Sequence, residues 1–459
     1  MPELPEVETV RRVLLDEILN LNIVNVRLLY KPIFENSEKA NCLINNHFTD
    51  IKRKGKYLIF CLAKGFLLSH LRMEGKYFYL DSSTPLNKHM HVCIDFSNGK
   101  SLIYQDVRKF GRMHYYESLD DLYADLSLGP DANIIGDIDP LYLKMKKSNL
   151  PIKSLLLDQS FIAGLGNIYV DEVLYASSIF PNLKAKSLTI NDLENIKTNA
   201  KIILDKAIIN KGTTIRSYTS SLGVTGNYQN YLKIHTKEID ALNHHVYKMK
   251  IGGRTSYYCP LCEPLRRKLR IGLTGGIATG KSNIANELRA LGFYVSDSDL
   301  YAKEAYNNPE ILNRVKELFP DAFSSNELNR DLLGKIIFNN PKRRDILNSI
   351  IHPYVIECLE KDIEKHELIF LDIPLLFEAK LEHLCDKIIC AYLSDDLQRE
   401  RLMARDNISL EYANAKINSQ IPLANKKEKS DFIVDTSGDF SDTKKNLLDV
   451  LGKIFSEID

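Results

Sequence analysis

Apolar positions recur along this chain with two different spacings, and the changeovers divide it into segments. Up to about residue 133, short apolar runs are punctuated by polar turns: NIVNVRLLY, KYLIFCLA, FLLSHLRMEGKYFYL, HVCIDFSNGKSLIYQD and RMHYYES. Turn signals such as SNGK between such runs predict strands folded as a β-sandwich or barrel. A helix precedes them. Pro5 suits a first helical position, and the acids around it complement the helix dipole. From Pro140 to Lys211 the spacing becomes helical, in PLYLKMKKSNL, EVLYASSIF and DLENIKTNAKIILDKAII. GVTGNYQNYLKIHTKE and VYKMKIGGRTSYYCPLC then read as short strands with glycine turns. After CEPLRRK the chain alternates strand and helix: LRIGLT, NIANELRALG, FYVSD, then LIFLDIPLL and KIICAYL. That alternation predicts an α/β domain with a parallel sheet. No Gly/Ser- or Pro-rich linker marks the join, and no repeat or low-complexity tract is evident.

A chain of 459 residues is too long for one ordinary core, so two or three domains are expected. No apolar run reaches the length of a membrane span, and no basic–apolar leader precedes the first helix. A cytoplasmic monomer with no membrane partner is the expectation. Of eight cysteines only Cys259 and Cys262 are close-set, as C-x-x-C; the rest lie in apolar runs and read as reduced core thiols.

The net charge of +1 conceals a division. Up to Lys268 there are 36 Lys and Arg against 28 Asp and Glu, or +8; the remainder carries 25 against 32, or −7. Two domains with different partners are implied. The basic excess is locally dense in IKRKGKYLIF, which by itself reads as a solvated face.

Two stretches carry chemistry. With Met1 removed, Pro2 would be an N-terminal secondary amine, and α-amino groups titrate near pKa ~8. Such an amine can attack an anomeric carbon and form an iminium. Glu3 beside it can protonate a departing or ring oxygen, and Glu6 can orient the site. The second stretch, GGIATGKS, contains Gly275-x4-Gly280-Lys281-Ser282, a P-loop placed after a strand and before a helix. The backbone of Gly275, Gly276, Ile277, Ala278, Thr279 and Gly280 would wrap phosphates of ATP, with Lys281 neutralising the transferring phosphate and Ser282 holding Mg²⁺.

The opening MPELPEVETV resembles that of the formamidopyrimidine-DNA glycosylase family, which excises oxidised purines and cuts at the abasic site. RKGKYL, SHLRMEGKY, KHMHV, YQDVRKFGRM, IKSLLLDQSFIAGLGNIYVDEVLY, GTTIRSY and GGRTSYYCPLC follow in the family's order over about residues 2–263. The endonuclease VIII branch shares the Pro–Glu start, but ELPEVET and LLDQSFIAGLGN favour the oxidised-purine branch. The resemblance implies a β-sandwich (1–133), a helix-two-turn-helix domain (134–230) and a zinc-finger-like β-hairpin (231–266), acting on damaged double-stranded DNA. It implies phosphate contacts from Lys56, His70, His89, Asn167 and Arg254, with Lys153 also on DNA. Lys56 would serve β-elimination and Arg254 δ-elimination. Met73, Arg108 and Phe110 would enter the duplex where the base has left. GLGN would offer backbone N–H groups to phosphate, and GTTIRSYTSSLGVTG would form a loop over the extruded base.

The family closes its finger with two C-x-x-C pairs around zinc. This chain keeps Cys259 and Cys262, but upstream reads HTKEIDALNHHVYK without cysteine. A hairpin without zinc is the preferred reading. The alternative is a Cys2His2-like site, with His245 reached by a short deletion and His235 as a distant candidate; His244 and His245, being adjacent, would hardly both bind.

The remainder (267–459) resembles dephospho-CoA kinase through IGLTGGIATGKS, VSDSDLYAKE, LNRDLLGKIIFNNPKRR, IIHPYV, FLDIPLLFEAKL, QRERLMARD and INSQIPLANKKEKSDFIVD. That family moves the ATP γ-phosphate to the ribose 3′-hydroxyl of dephospho-CoA, using a helical lid and substrate subdomain. The resemblance implies Asp299 as base or orienter of the hydroxyl, Asp297 in support, Arg401 and Arg405 as lid, and Arg330, His352 and Pro353 at the acceptor. The leading expectation is thus a bifunctional glycosylase/lyase and kinase. The alternatives are a non-catalytic damaged-DNA-binding module on an active kinase, or two neighbouring genes joined without functional coupling.

Overall fold

The computed structural model describes residues 2–213, 226–324, 327–338 and 340–458. The chain forms two compact units, Met1–Glu263 and Pro264–Ile458. The segment 214–225, expected to cover an extruded base, lies outside the described residues.

In the first unit, helix α1 (Leu4–Ile18) buries Leu4, Val7, Val10, Leu14 and Ile18, a 3–4 spacing that makes one continuous apolar face. It packs on a sandwich of two four-stranded antiparallel sheets. One sheet has the order β1 (Ile23–Leu28), β6 (Met90–Phe96), β7 (Lys100–Gln105), β5 (Lys76–Asp81). The other runs β2 (Phe48–Lys54), β3 (Tyr57–Leu62), β4 (Phe66–His70), β8 (Arg112–Tyr116). Phe48, Phe60, Tyr77, Phe96 and Tyr104 fill the space between them. The basic run IKRKGKYLIF is not a solvated face; it forms the β2–β3 hairpin around Gly55. Arg53, 9 % exposed, is held by Glu8 at 3.1 Å and Asp131 at 2.7 Å, so this cation ties the sheet to neighbouring elements.

Helices α2 (Leu119–Leu126), α3 (Asp139–Lys146), α4 (Ile152–Leu157), α5 (Asn167–Ala176) and α6 (Ile190–Ile209) follow. The described part of GVTGNYQNYLKIHTKE contains a single 3₁₀ turn, Tyr228–Tyr231, in place of the expected strands. The reason lies in Glu172, whose carboxylate takes the N–H groups of Lys233, Ile234 and His235 at 2.8–3.0 Å. Those amides are satisfied outside any sheet. The finger is the hairpin β9 (Tyr247–Ile251) and β10 (Arg254–Tyr258). Its two-residue turn needs positive φ at both positions, which Gly252 and Gly253 supply at +56° and +76°.

The second unit is built on a five-stranded parallel sheet of order β12 (Val295–Asp297), β15 (Leu368–Asp372), β11 (Leu269–Gly275), β16 (Lys387–Tyr392), β17 (Phe432–Asp435). Helices α7 (Lys281–Ala290), α8 (Ser298–Glu304), α9 (Pro309–Leu318), α10 (Arg330–Phe338) and α11 (Pro341–Lys365) precede β15. A minimal ladder, β13 (Phe323–Ser324) with β14 (Glu327–Leu328), lies among them. Helices α12 (Asp395–Asp406), α13 (Leu410–Asn418), α14 (Leu423–Lys429) and α15 (Phe440–Ser456) complete the unit. Strand β17 is too short, and too close to the lysine-rich α14, to stand out in the apolar pattern. The central position of β11 places the P-loop at the carboxyl ends of the strands, where open α/β sheets bind ligands.

Candidate active sites

Glu3 is the node of the first site. Its carboxylate accepts the N–H groups of Gly166 at 2.7 Å, Ile168 at 3.0 Å and Tyr169 at 3.4 Å, at the start of α5. GLGN therefore leads into a helix; of its amides, that of Gly166 is taken by Glu3 and that of Gly164 by the Gln159 side chain at 2.9 Å. Chain terminus and helical domain are joined in this way, with Pro2 buried beside the joint. Glu6 closes the arrangement from below: it accepts the Glu3 N–H at 2.8 Å, the Tyr169 hydroxyl at 2.8 Å and the Thr213 N–H at 2.7 Å. Burial, with Glu3 close by, pushes the Glu6 carboxyl above its usual range.

Lys56, at the β2–β3 turn, is buried. Desolvation lowers its amine below the ordinary lysine range; the negative field of Glu3 opposes the shift and the positive field of Arg254 reinforces it. Lys56, Glu3 and Arg254 thus share one electrostatic environment. His70 is buried next to it, and burial pushes its imidazole down to about 3. Its Nδ1 accepts the Arg72 N–H at 2.8 Å, so the ring proton sits on Nε2, a neutral donor. His89 is half-buried at the rim.

Met73 and Phe110 are 40 % and 46 % exposed, which removes them from the core. The Arg108 guanidinium lies 4.8 Å from the centre of the Phe110 ring. Asp106, which sequence reasoning passed over, shapes this loop by accepting the N–H groups of Arg108, Phe110 and Gly111 at 2.7–3.0 Å. A Cβ on Gly75 or on Gly111 would fall 2.1 or 1.7 Å from the same atom, the Tyr104 hydroxyl oxygen. The Met73 turn and the Phe110 loop are therefore seated side by side.

Lys153 and Asn167 are both tied to the finger strand. Lys153 is fully buried, with Nζ 2.6 Å from Asp171 and 3.2 Å from the Thr255 carbonyl oxygen. Asn167 donates to that same carbonyl at 2.9 Å. Both fasten the strand directly after Arg254, so they position the hairpin; no side-chain atom of Lys153 faces solvent.

In the second unit the P-loop lines a cleft of about 720 Å³ from Gly275 to Asn283, together with Asp299, Arg401, Arg405 and Thr436. Positive φ at Ala278 and Gly280, +59° and +80°, turns the loop into α7. Gln420 and Gln398 hold the Ile277 peptide from both sides at 2.9 and 2.8 Å. Lys281 pairs with Asp372, the last residue of β15, and Ser282 is exposed at the first turn of α7. Asp372 was legible only as an acid ending an apolar run, and nothing local distinguished it. A smaller cavity, about 210 Å³, is lined by Tyr306, Leu347, Ile351 and His352 and shares Asp299 and Pro374 with the cleft. Asp297 caps α8, accepting the Asp299 N–H at 3.0 Å; it orients Asp299 and does not itself line either cavity. Partial desolvation raises the Asp299 carboxyl, against the pull of Lys281. Arg330 stands over Tyr306 at 5.2 Å, on the rim of the smaller cavity. Pro353 is exposed on α11 and lines neither cavity.

Residues 1–113 match the family described as formamidopyrimidine-DNA glycosylase N-terminal domain, and residues 128–219 its H2TH domain. A formamidopyrimidine-DNA glycosylase of Mycoplasma genitalium is 42 % identical over 278 residues, 59 % of this chain and 98 % of that protein. Its counterpart from Ureaplasma parvum is 42 % identical over 276 residues, 57 % of this chain and all of that protein. The chain belongs to the formamidopyrimidine-DNA glycosylase family. Among solved structures, the Lactococcus lactis glycosylase in complex with DNA containing an abasic site is 37 % identical, with a TM-score of 0.54, over 57 % of this chain and 99 % of that one. Residues 269–442 match dephospho-CoA kinase, so a kinase domain follows the glycosylase part and the chain carries two enzyme domains. Among the described residues, no helix is long and apolar enough to cross a membrane.

The glycosylase finger departs from its family where the upstream cysteines are missing. Ligand-type atoms of Asp240, His244, Cys259 and Cys262 all lie within 4.8 Å of one another. His245 packs its ring against Tyr247 at 4.8 Å, and His235 bonds Asp171 at 2.7 Å. The histidine in the cluster is therefore His244, and Asp240 joins it, a residue the sequence pattern did not single out. Four N, O and S donors at this spacing fit a structural zinc ion.

Proposed function

We propose that the first unit excises oxidised purines such as 8-oxoguanine and formamidopyrimidines and then cuts the strand, with the amine of Pro2 as nucleophile. The observation that supports it most is the anchoring of Glu3 by three backbone N–H groups beside Pro2. In this reading the Pro2 nitrogen attacks C1′ of the damaged nucleotide, and the glycosidic electron pair leaves with the base. The proton of the Pro2 nitrogen neutralises the departing base; Glu3 then protonates the ring oxygen, the C1′–O4′ bond opens, and an iminium links Pro2 to the sugar. Lys56, its amine lowered by burial, assists removal of the proton whose loss expels the 3′ phosphate; Arg254 serves the second elimination. His70, as a neutral Nε2 donor, and His89 contact phosphate, while Met73, Arg108 and Phe110 fill the gap left by the extruded base.

The second unit transfers the γ-phosphate of ATP to the ribose 3′-hydroxyl of dephospho-CoA. Asp299, at the junction of the two cavities, accepts the hydroxyl proton as that oxygen attacks phosphorus and the bond to the β-phosphate breaks. Lys281 and the P-loop amides meet the developing charge, Arg401 and Arg405 close over the phosphates, and His352 and Arg330 bind the acceptor. Mg²⁺, held at Ser282, would neutralise the phosphates.

Borohydride reduction with damaged duplex should trap a covalent complex, and mass spectrometry should place the adduct on Pro2. Trapping that survives an uncleaved N-terminal tag would overturn the nucleophile. ATP-dependent phosphorylation of dephospho-CoA by the same preparation tests the kinase.

A further inference from the structure

We propose that the finger binds one zinc ion through a mixed set of ligands: Asp240 Oδ2, His244 Nδ1, Cys259 Sγ and Cys262 Sγ. Zinc at 2.3 Å from sulfur and 2.0–2.1 Å from nitrogen or oxygen spaces tetrahedral ligands about 3.3–3.8 Å apart. The cluster already shows His244 Nδ1 to Cys262 Sγ at 3.2 Å, Cys262 Sγ to Asp240 Oδ2 at 3.1 Å and His244 Nδ1 to Asp240 Oδ2 at 3.5 Å. The separations that involve Cys259 Sγ stay within 4.8 Å, so an ion requires shifts of up to about 1 Å at that ligand and smaller ones at the other three.

Each pair of ligands sits on a preformed turn. In Cys259-Pro260-Leu261-Cys262 the Cys259 carbonyl accepts the N–H groups of Cys262 and Glu263 at 3.1 and 2.8 Å. The Cys259 sulfur in turn faces the N–H groups of Leu261 and Cys262. Opposite, Asp240 Oδ1 takes the N–H groups of Leu242 and His244 at 2.8 and 2.9 Å, leaving Oδ2 turned into the cluster. Asn243, at φ +66°, tightens that turn. An Asp-x3-His turn thus occupies the place of the missing cysteine pair.

Energetics also favour an ion. Among the described residues, the apolar cluster around the site has Ile234, Val246 and Cys259 as its buried members, with Tyr175, Tyr257, Leu261 and Cys262 against them. So small a core needs a staple. Two thiolates with one imidazole select zinc over hard cations. Coordination releases the two thiol protons as the ion enters, and the hydrogen bonds among His244, Cys262 and Asp240 give way to bonds to the metal.

The test is metal analysis of the full-length chain purified without chelator. One zinc per chain is expected. Reloading stripped protein with Co²⁺ should give the visible bands of a tetrahedral ion and a charge-transfer band for two thiolates. Asp240→Ala and His244→Ala should each lose zinc to a chelator that leaves the parent loaded, whereas His245→Ala should keep it. Asp240→Cys should retain the ion and raise the charge-transfer intensity from two thiolates to three, which keeps the test decisive even where an alanine variant disorders the finger. Kinase turnover in the same preparations reports that the rest of the chain is folded. A parent chain that holds no zinc after loading, or zinc retained by either alanine variant, would overturn the proposal.

Discussion

Lys56 shows how one residue couples burial to chemistry. A buried ammonium is disfavoured, so its proton is released at lower pH than that of an ordinary lysine. The elimination step should therefore rise with pH and reach its plateau below the lysine range; Lys56→Arg, which stays charged, should remove that rise while leaving DNA binding largely intact. A profile of strand cutting on a pre-formed abasic site measures this. The sign for stability follows from the same shift. The folded unit binds fewer protons than the unfolded chain between the lowered and ordinary values, so stability rises with pH through that window. In the kinase, Asp299→Asn removes the acceptor of the hydroxyl proton and should cut turnover by about 10²–10⁴-fold with ATP binding retained. Near-normal turnover would exclude Asp299 as base. Residues of this kind were legible because their neighbours are local: Pro2 beside Glu3, Lys281 inside the P-loop. Asp372, Asp106 and Asp240 were not, since each acts through partners that only the fold brings near.

At the scale of elements, α5 is the part on which the glycosylase site depends. The spacing of EVLYASSIF was enough to announce the helix, but not that its first turn would receive a carboxylate from residue 3. A Cβ on Gly166 would fall 2.2 Å from the Glu3 carboxyl carbon. Gly166→Ala should push Glu3 off the helix terminus and lower base excision by about 10²–10⁴-fold, the usual contribution of a placed acid. Single-turnover excision measures it, and circular dichroism confirms the fold. The finger depends on α4 and α5 in the same manner. Among the described residues, Lys153→Ala would leave buried Asp171 with His235 and the Tyr257 amide. Removing one partner of a buried pair costs about 3–5 kcal/mol. Hydrogen exchange should accordingly show β9 and β10 opening more often, with the sandwich unaffected. Unchanged exchange in the hairpin would show that Lys153 does not hold it. The sequence pattern could not reveal this role, because a lysine in a polar-looking turn is indistinguishable from one facing solvent.

For the whole molecule, each unit has its own core and its own site. The sandwich core runs from Val7 to Tyr115 and the kinase core from Ala305 to Ile388, with no member in common. The glycosylase residues end at Arg254 and the finger ligands at Cys262, while the P-loop strand begins at Leu269. Residues 1–266 expressed alone should therefore trap damaged DNA, and residues 267–459 should phosphorylate dephospho-CoA, each within about an order of magnitude of the intact chain. Loss of either activity from a fragment shown to be folded would mean that the units depend on one another. The uneven charge supplies a second readout. Freed from a partner of −5 (27 Lys and Arg against 32 Asp and Glu), residues 1–266, with 34 against 28 or +6, should bind duplex DNA more tightly at low salt, because fewer acidic charges accompany them to the phosphate backbone. Screening shortens to about 8 Å at physiological ionic strength, so the gain should shrink as salt rises. A gain that persists undiminished at high salt could not arise from charge, and would point instead to a steric restraint on DNA binding in the intact chain.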